Sequence, residues 1–168
     1  AKAHVPLVGA HRIEGVEVLV AQGRTPMGSA FAMARQWLED KELVPSRAYR
    51  PVLVLVSDGE PTDDWQEPLA ALKASERGQK ATRFAMAIGA DADRAMLRQF
   101  TNDLEAPVFE ADGVRDIVKF FRAVTMSVMA RSTSGSPNTA QPLGMSDDLE
   151  DDLDLDALRR ERLKLRAE

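Results

Sequence analysis

Apolar and polar positions along this chain fall into blocks whose period switches between two and 3.6. Residues 52–56 (VLVLV) are five consecutive apolar side chains, the pattern of a central parallel strand buried on both faces. The run ends in Ser57-Asp58-Gly59, which sets a carboxylate at the C-terminal edge of the strand and a glycine to turn the chain. Residues 82–88 (TRFAMAI) predict a second buried strand closed by Gly89, and residues 106–110 (APVFE) a third. Helical spacing fills the intervals. Met27, Phe31, Ala34 and Leu38 share one face behind Thr25, in N-cap position, and Pro26, at the first helical residue. Trp65, Leu69 and Leu72 share a face of a helix that starts at Asp63 or Asp64 and runs to about Arg77, with Pro68 in its first turn and Gly78 as its stop. Asp91 or Asp93 opens a short helix containing Met96, Leu97 and Phe100. A last helix over 113–130 aligns Val114, Ile117, Val118, Phe121, Val124 and Val128. Upstream, residues 3–8 (AHVPLV) predict a short strand in which Pro6 suits an edge, and the apolar residues 16–21 fit strand or helix. Strands alternating with helices at this spacing predict an α/β fold, a parallel sheet with helices on both faces.

The pattern stops after Arg131. Residues 131–146 read as a flexible linker, since STSGSPNTAQP has nothing to bury. Residues 147–168 form a tail, acidic first (DDLEDDLDLD) and basic after it, an order that favours a helix with i,i+4 ion pairs. Such a tail is either a solvated segment or an acidic-hydrophobic docking helix with Leu149 and Leu153 on one face. Residues 1–130 are then the folded domain. The net charge of −5 is concentrated in the tail, which holds nine acidic and five basic side chains. The remainder is nearly neutral, which argues against a nucleic-acid partner. No apolar run has the length of a membrane span, and nothing at the start reads as a signal peptide, so the expected location is the cytoplasm. The absence of cysteine excludes disulfides and thiolate chemistry, and His4 and His11 have no partner at metal-ligand spacing.

Candidate chemistry therefore centres on Asp58. The C-terminal edge of an open α/β sheet is where ligands bind, and a short carboxylate there suits a divalent cation held by oxygen and water. The simpler reading is that Asp58 orders the turn and Asp63 or Asp64 caps the next helix. For Thr25 the spacing alone supports helix capping.

Two stretches together change the weight of these readings: GRTPMG at 23–28 and VLVSDGEPTD at 54–63. They resemble the von Willebrand factor A family, whose members carry a metal-ion-dependent adhesion site. That site combines an Asp-x-Ser-x-Ser loop after the first strand, a threonine in a later loop and an aspartate after the central strand. The resemblance covers about residues 1–130 and implies that Thr25 is the family's threonine and Asp58 its final aspartate, holding Mg2+ or Mn2+. It also implies a Rossmann-like fold. The Asp-x-Ser-x-Ser loop does not occur in these residues, so the expectation is a domain lacking the family's first strand, first helix and second strand, the missing part being supplied by another chain, cleaved off or numbered separately. Within the family, the TPMG run and PSRAYRP at 45–51 resemble the bacterial TerY-like branch. That branch is associated with tellurite resistance, stress response and phage defence, and with a kinase and a protein phosphatase as partners.

The family's function implies a protein–protein interaction module that receives a partner's acidic side chain on bound Mg2+, with Arg24 and Glu60 at the rim. Two other functions compete. One is a metal-independent adaptor acting through the acidic tail. The other is a Mg2+-dependent phosphoryl-transfer or hydrolytic enzyme, against which stands the lack of a general base, nucleophile or Walker motif near Asp58. The reading adopted is the interaction module, without catalysis.

Overall fold

The computed structural model describes residues 1–5, 7–9, 12–13, 23–101, 108–135 and 138. Their elements run α1 (Met27–Glu39), β1 (Val52–Ser57), α2 (Gln66–Ala74), α3 (Glu76–Lys80), β2 (Thr82–Ile88), α4 (Arg94–Phe100), β3 (Phe109–Ala111) and α5 (Val114–Thr133). The three strands form a parallel sheet in the order β1-β2-β3, with Val52 opposite Thr82 and Met86 opposite Phe109. This is the α/β architecture that the alternating pattern predicts.

Strand periodicity sorts the core into two layers. Ala85 and Ala87 of β2, with Leu53 and Leu55 of β1, face α1, α2 and α4, where Phe31, Leu72, Met96, Leu97 and Phe100 are buried. The two alanines leave room for large helix side chains, and Phe31 stacks on Phe100 at 5.6 Å between ring centroids. Phe84 and Met86, with Val52, Val54 and Val56, face α5, where Phe120 and Val124 close the second layer. Phe120 also packs on Phe109 at 5.0 Å.

Several expectations need correction. Among the described residues β1 is an edge strand, and its five apolar residues are only half-buried; β2, buried from Thr82 to Ala87, is the middle strand. A run of apolar residues marks a strand with apolar surroundings but does not say which strand has neighbours on both sides. No strand forms among the described residues of the 3–8 stretch, and 16–21 lies outside them. The helix expected from Asp63 or Asp64 to Arg77 is two helices broken at Ser75, whose side chain accepts from the Gly78 N–H and donates to the Leu72 carbonyl at 2.9 Å. Gly78 therefore does not end a helix. It lies within α3, where a Cβ would sit 1.9 Å from the Leu72 carbonyl oxygen. Among the described residues the third strand covers Phe109–Ala111, while 106 and 107 of the expected stretch lie outside them. Asp93 does cap α4, accepting from the Met96 N–H at 2.9 Å.

In α5 the buried row is Phe120, Ala123, Val124 and Arg131, with Ile117 packed beside it. Val114, Phe121 and Val128, expected on the core face, are exposed. They lie on a neighbouring row of the helix, about 100° round at one residue's step. Because apolar side chains occupy more than one row of α5, the exposed Val114, Phe121 and Val128 as well as the buried Phe120 and Val124, its sequence leaves the choice of row to the sheet.

Candidate functional site

The C-terminal end of β1 is held by its last residue. Ser57 is buried, and its hydroxyl donates to the Gly59 carbonyl at 3.0 Å, so Ser57 rather than Asp58 orders the turn. Asp58 is exposed, and among the described residues its carboxylate makes no hydrogen bond.

Thr25 does not cap α1. The N-cap is Pro26, which has no side-chain acceptor to offer, and the first turn of α1 contains no acidic residue. Thr25 instead acts through its carbonyl, which accepts from the Met27 N–H at 2.8 Å and the Thr62 N–H at 2.9 Å. That pair ties the loop before α1 to the loop after β1. The Thr25 hydroxyl has no hydrogen-bond partner among the described residues and lies 3.7 Å from where a Cβ would stand on Gly59.

The missing cap arrives from the other loop. Asp63 accepts from the Gly28 N–H on Oδ1 at 2.8 Å, and on Oδ2 from the Ser29 N–H at 3.0 Å and the Ser29 hydroxyl at 2.9 Å. A carboxylate on free N–H groups at a helix start is favoured by hydrogen bonding and by the helix dipole. Burial alone would raise the Asp63 pKa, but the bonds from Ser29 and Gly28 outweigh it and hold the carboxyl below its ordinary value. Asp63 thus does not open the following helix; its half-exposed carboxylate is committed to the start of α1. The close approach also explains Gly28, where a Cβ would lie 1.9 Å from the Asp64 carbonyl oxygen.

These contacts bring Thr25 and Asp58 to one open cavity of about 610 Å³, which Arg24, Gly23, Leu55 and Val56 also line. Of the residues expected at the rim, Arg24 is there and exposed, whereas Glu60 is exposed but outside the cavity lining. Leu149 and Leu153 lie outside the described residues. A larger cavity of about 1150 Å³, between the first dozen residues and the outer side of α1, is lined by Trp37, Leu43, Tyr49 and Leu53 and includes neither Thr25 nor Asp58.

A hydroxyl and a carboxylate fit Mg2+ in kind, since that ion takes hard oxygen ligands and keeps several waters. They do not fill its shell. Among the described residues no group of three or more acidic or histidine side chains is placed to hold a metal. Any ion there would have to complete its shell with water or with groups outside the described residues. None of the described helices is long and apolar enough to cross a membrane.

The sequence pattern missed Ser57 and Asp63 because both act through contacts that local periodicity does not carry. One signal was available for Asp63: a strong helix preceded by proline, with no acid in its first turn, requires an acceptor from elsewhere in the chain.

The family model described as von Willebrand factor type A domain matches residues 12–123. No curated protein and no solved structure matches the chain.

Proposed function

The chain belongs to the von Willebrand factor type A domain family, and on that premise we propose that it is a metal-ion-dependent protein–protein interaction module. Domains of this family are generally interaction modules rather than enzymes. The observation that carries the metal reading is the meeting of Thr25 and Asp58 in one cavity with both side-chain oxygens free of hydrogen bonds among the described residues. A hydroxyl and carboxylate aimed at open space at the end of a parallel strand are available to a cation in a way that a helix cap or turn residue is not.

In this reading the Thr25 hydroxyl and Asp58 carboxylate hold the ion, Ser57 and Asp63 fix the loops that carry them, and Arg24 draws acidic side chains to the rim. When bound there, Mg2+ or Mn2+ offers a coordination position to a carboxylate of the partner. The TPMG and PSRAYRP runs support a TerY-like role in cytoplasmic stress response, tellurite resistance or phage defence, with an associated kinase or phosphatase as partner. The edge of β1, unpaired among the described residues, supports a second chain adding strands beside it.

The test is Mn2+ titration of the full chain followed by the electron paramagnetic resonance signal of the free ion, with Asp58→Ala and Thr25→Ala alongside. Uptake by the parent chain and its loss in both variants, with circular dichroism unchanged, is expected. No uptake by the parent, or equal uptake by all three, refutes the metal reading. A metal-independent adaptor working through residues 147–168 is the second reading, and it rests on the segregation of acidic charge there. Partner capture lost on deleting that tail, while Asp58→Ala is silent, selects it.

A further inference from the structure

At the opposite end of the sheet from Asp58, guanidinium groups collect without ion pairs among the described residues; the carboxylate at hand, Glu39, is taken up by the Arg77 backbone N–H at 2.9 Å. Arg131, near the end of α5, is only 6% exposed, and its Nη1 donates to the Thr82 hydroxyl at 3.1 Å. Its Nε and Nη2 are buried with no hydrogen-bond partner among the described residues. Arg77, in α3 five residues before Thr82, is likewise buried with Nε and Nη2 unpartnered among the described residues, where its Nη1 reaches only the Ser46 carbonyl at 3.4 Å. Burial first, and then the like charge of Arg50, pull the Arg131 guanidinium below its ordinary pKa. None of these three arginines forms an ion pair among the described residues. Buried guanidinium donors without acceptors are costly, and a nearby anion relieves that cost.

The chain itself carries such an anion within reach. Asn138 already sits on Arg50: its side-chain oxygen accepts from the Arg50 N–H at 3.2 Å and its carbonyl from Arg50 Nη1 at 2.9 Å. Nine residues further on begins 147–156, DDLEDDLDLD, with seven acids and no base in ten positions. Nine residues span up to about 30 Å, so the acidic segment reaches this pole without any movement of α5. We infer that residues 147–156 dock in cis on the arginine pole of the sheet, with Arg50 as the exposed contact and Arg131 as the buried charge it relieves. The docked tail lies away from Thr25 and Asp58, so the pole and the candidate metal site work independently.

Because the chain has no cysteine, two can be introduced for spin labels without side reactions. The exposed Ala48→Cys, beside Arg50, and Ser146→Cys, just before the acidic run, report the distance by double electron–electron resonance in the full chain. A short, narrow distance at low salt is expected. It is lost in 1 M NaCl, where the screening length is about 3 Å, in Arg50→Gln, and in a tail with its seven acids changed to Asn or Gln. Arg50 is exposed, so its substitution reads docking without disturbing the core, whatever Arg131→Gln does to folding. A broad distribution common to all forms leaves the pole to an external anion and overturns the inference. A narrow distance indifferent to salt and to Arg50→Gln overturns it too, since the leucines would then hold the tail.

Discussion

Asp63→Ala tests whether one carboxylate joins the two loops of the site. The substitution removes Oδ1, the acceptor of the Gly28 N–H, and Oδ2, which accepts from both the N–H and the hydroxyl of Ser29. Loss of an N-cap costs about 1 kcal/mol, within a range of roughly 0.5–2. The Gly28 N–H, on a buried residue, adds the penalty of an unmet donor, about 1–3 kcal/mol. These terms overlap, and the bonds to Ser29 are exposed to solvent, so a net loss of roughly 2 kcal/mol is expected. Asp63→Asn keeps one oxygen and loses the charge at the helix start, for a loss of about 1 kcal/mol. Equilibrium denaturation is the assay, read as a lower midpoint at unchanged slope. The acid dependence supplies an independent check. A carboxyl whose folded pKa is depressed contributes stability that is fully present above its unfolded value, about 3.9, and lost as pH falls through the lower folded value. The gap between parent and Asp63→Asn therefore stays constant from about pH 7 to pH 5 and narrows below about pH 4. Equal stability of parent and Asp63→Ala within about 0.5 kcal/mol, or a gap that survives acidification, refutes the cap.

Gly28→Ala places a methyl 1.9 Å from the Asp64 carbonyl oxygen and is expected to cost about 3 kcal/mol, seen as a lower melting temperature. Gly59→Ala, whose methyl meets Thr25 at an ordinary 3.7 Å, is the matched control and should cost under about 1 kcal/mol. Phe84→Ala, which empties the centre of the α5-facing layer, is expected to cost about 3–5 kcal/mol by the same melts.

The sequence carried the middle of the fold well because β2 and α4 state their environment locally. Residues 84–88 are apolar throughout and end on Gly89, which adopts φ +69°, a conformation that favours glycine. Asp93 is an N-cap placed immediately before its helix. Where structure depends on distant residues, the local pattern misleads. VLVLV is as apolar as any central strand, yet β1 has a neighbour on one side only among the described residues. Thr25-Pro26 has the composition of a helix start, yet the cap comes from Asp63. The row of α5 that meets the sheet is selected by Phe84, Met86 and Phe109, none of which the helix sequence encodes. The candidate site was legible as a pair of motifs, and its residues do share a cavity. How the pair is held was not, because Ser57 and Asp63 were hidden in stretches read as turn and helix cap.

On the proposed metal reading, the same contacts would make stability and ion binding inseparable at this site. Thr25 and Asp58 come from different loops, and their spacing rests on two ties: the Thr62 N–H to the Thr25 carbonyl, and Asp63 to the start of α1. An ion held by both side chains adds a third tie across the same gap. By linkage, whatever binds the folded form alone stabilises it in proportion to the logarithm of its concentration over its dissociation constant. A chain that takes up Mn2+ through Thr25 and Asp58 therefore melts higher as Mn2+ rises, and Asp58→Ala abolishes the dependence while leaving the metal-free melt nearly unchanged. Asp63→Ala acts differently. It lowers the metal-free melt and, by loosening the spacing of two donors it never touches, weakens the Mn2+ dependence as well. A residue that only caps a helix would produce the first effect without the second, so the two measured together separate a cap that supports the fold from one that also sets the geometry of the site.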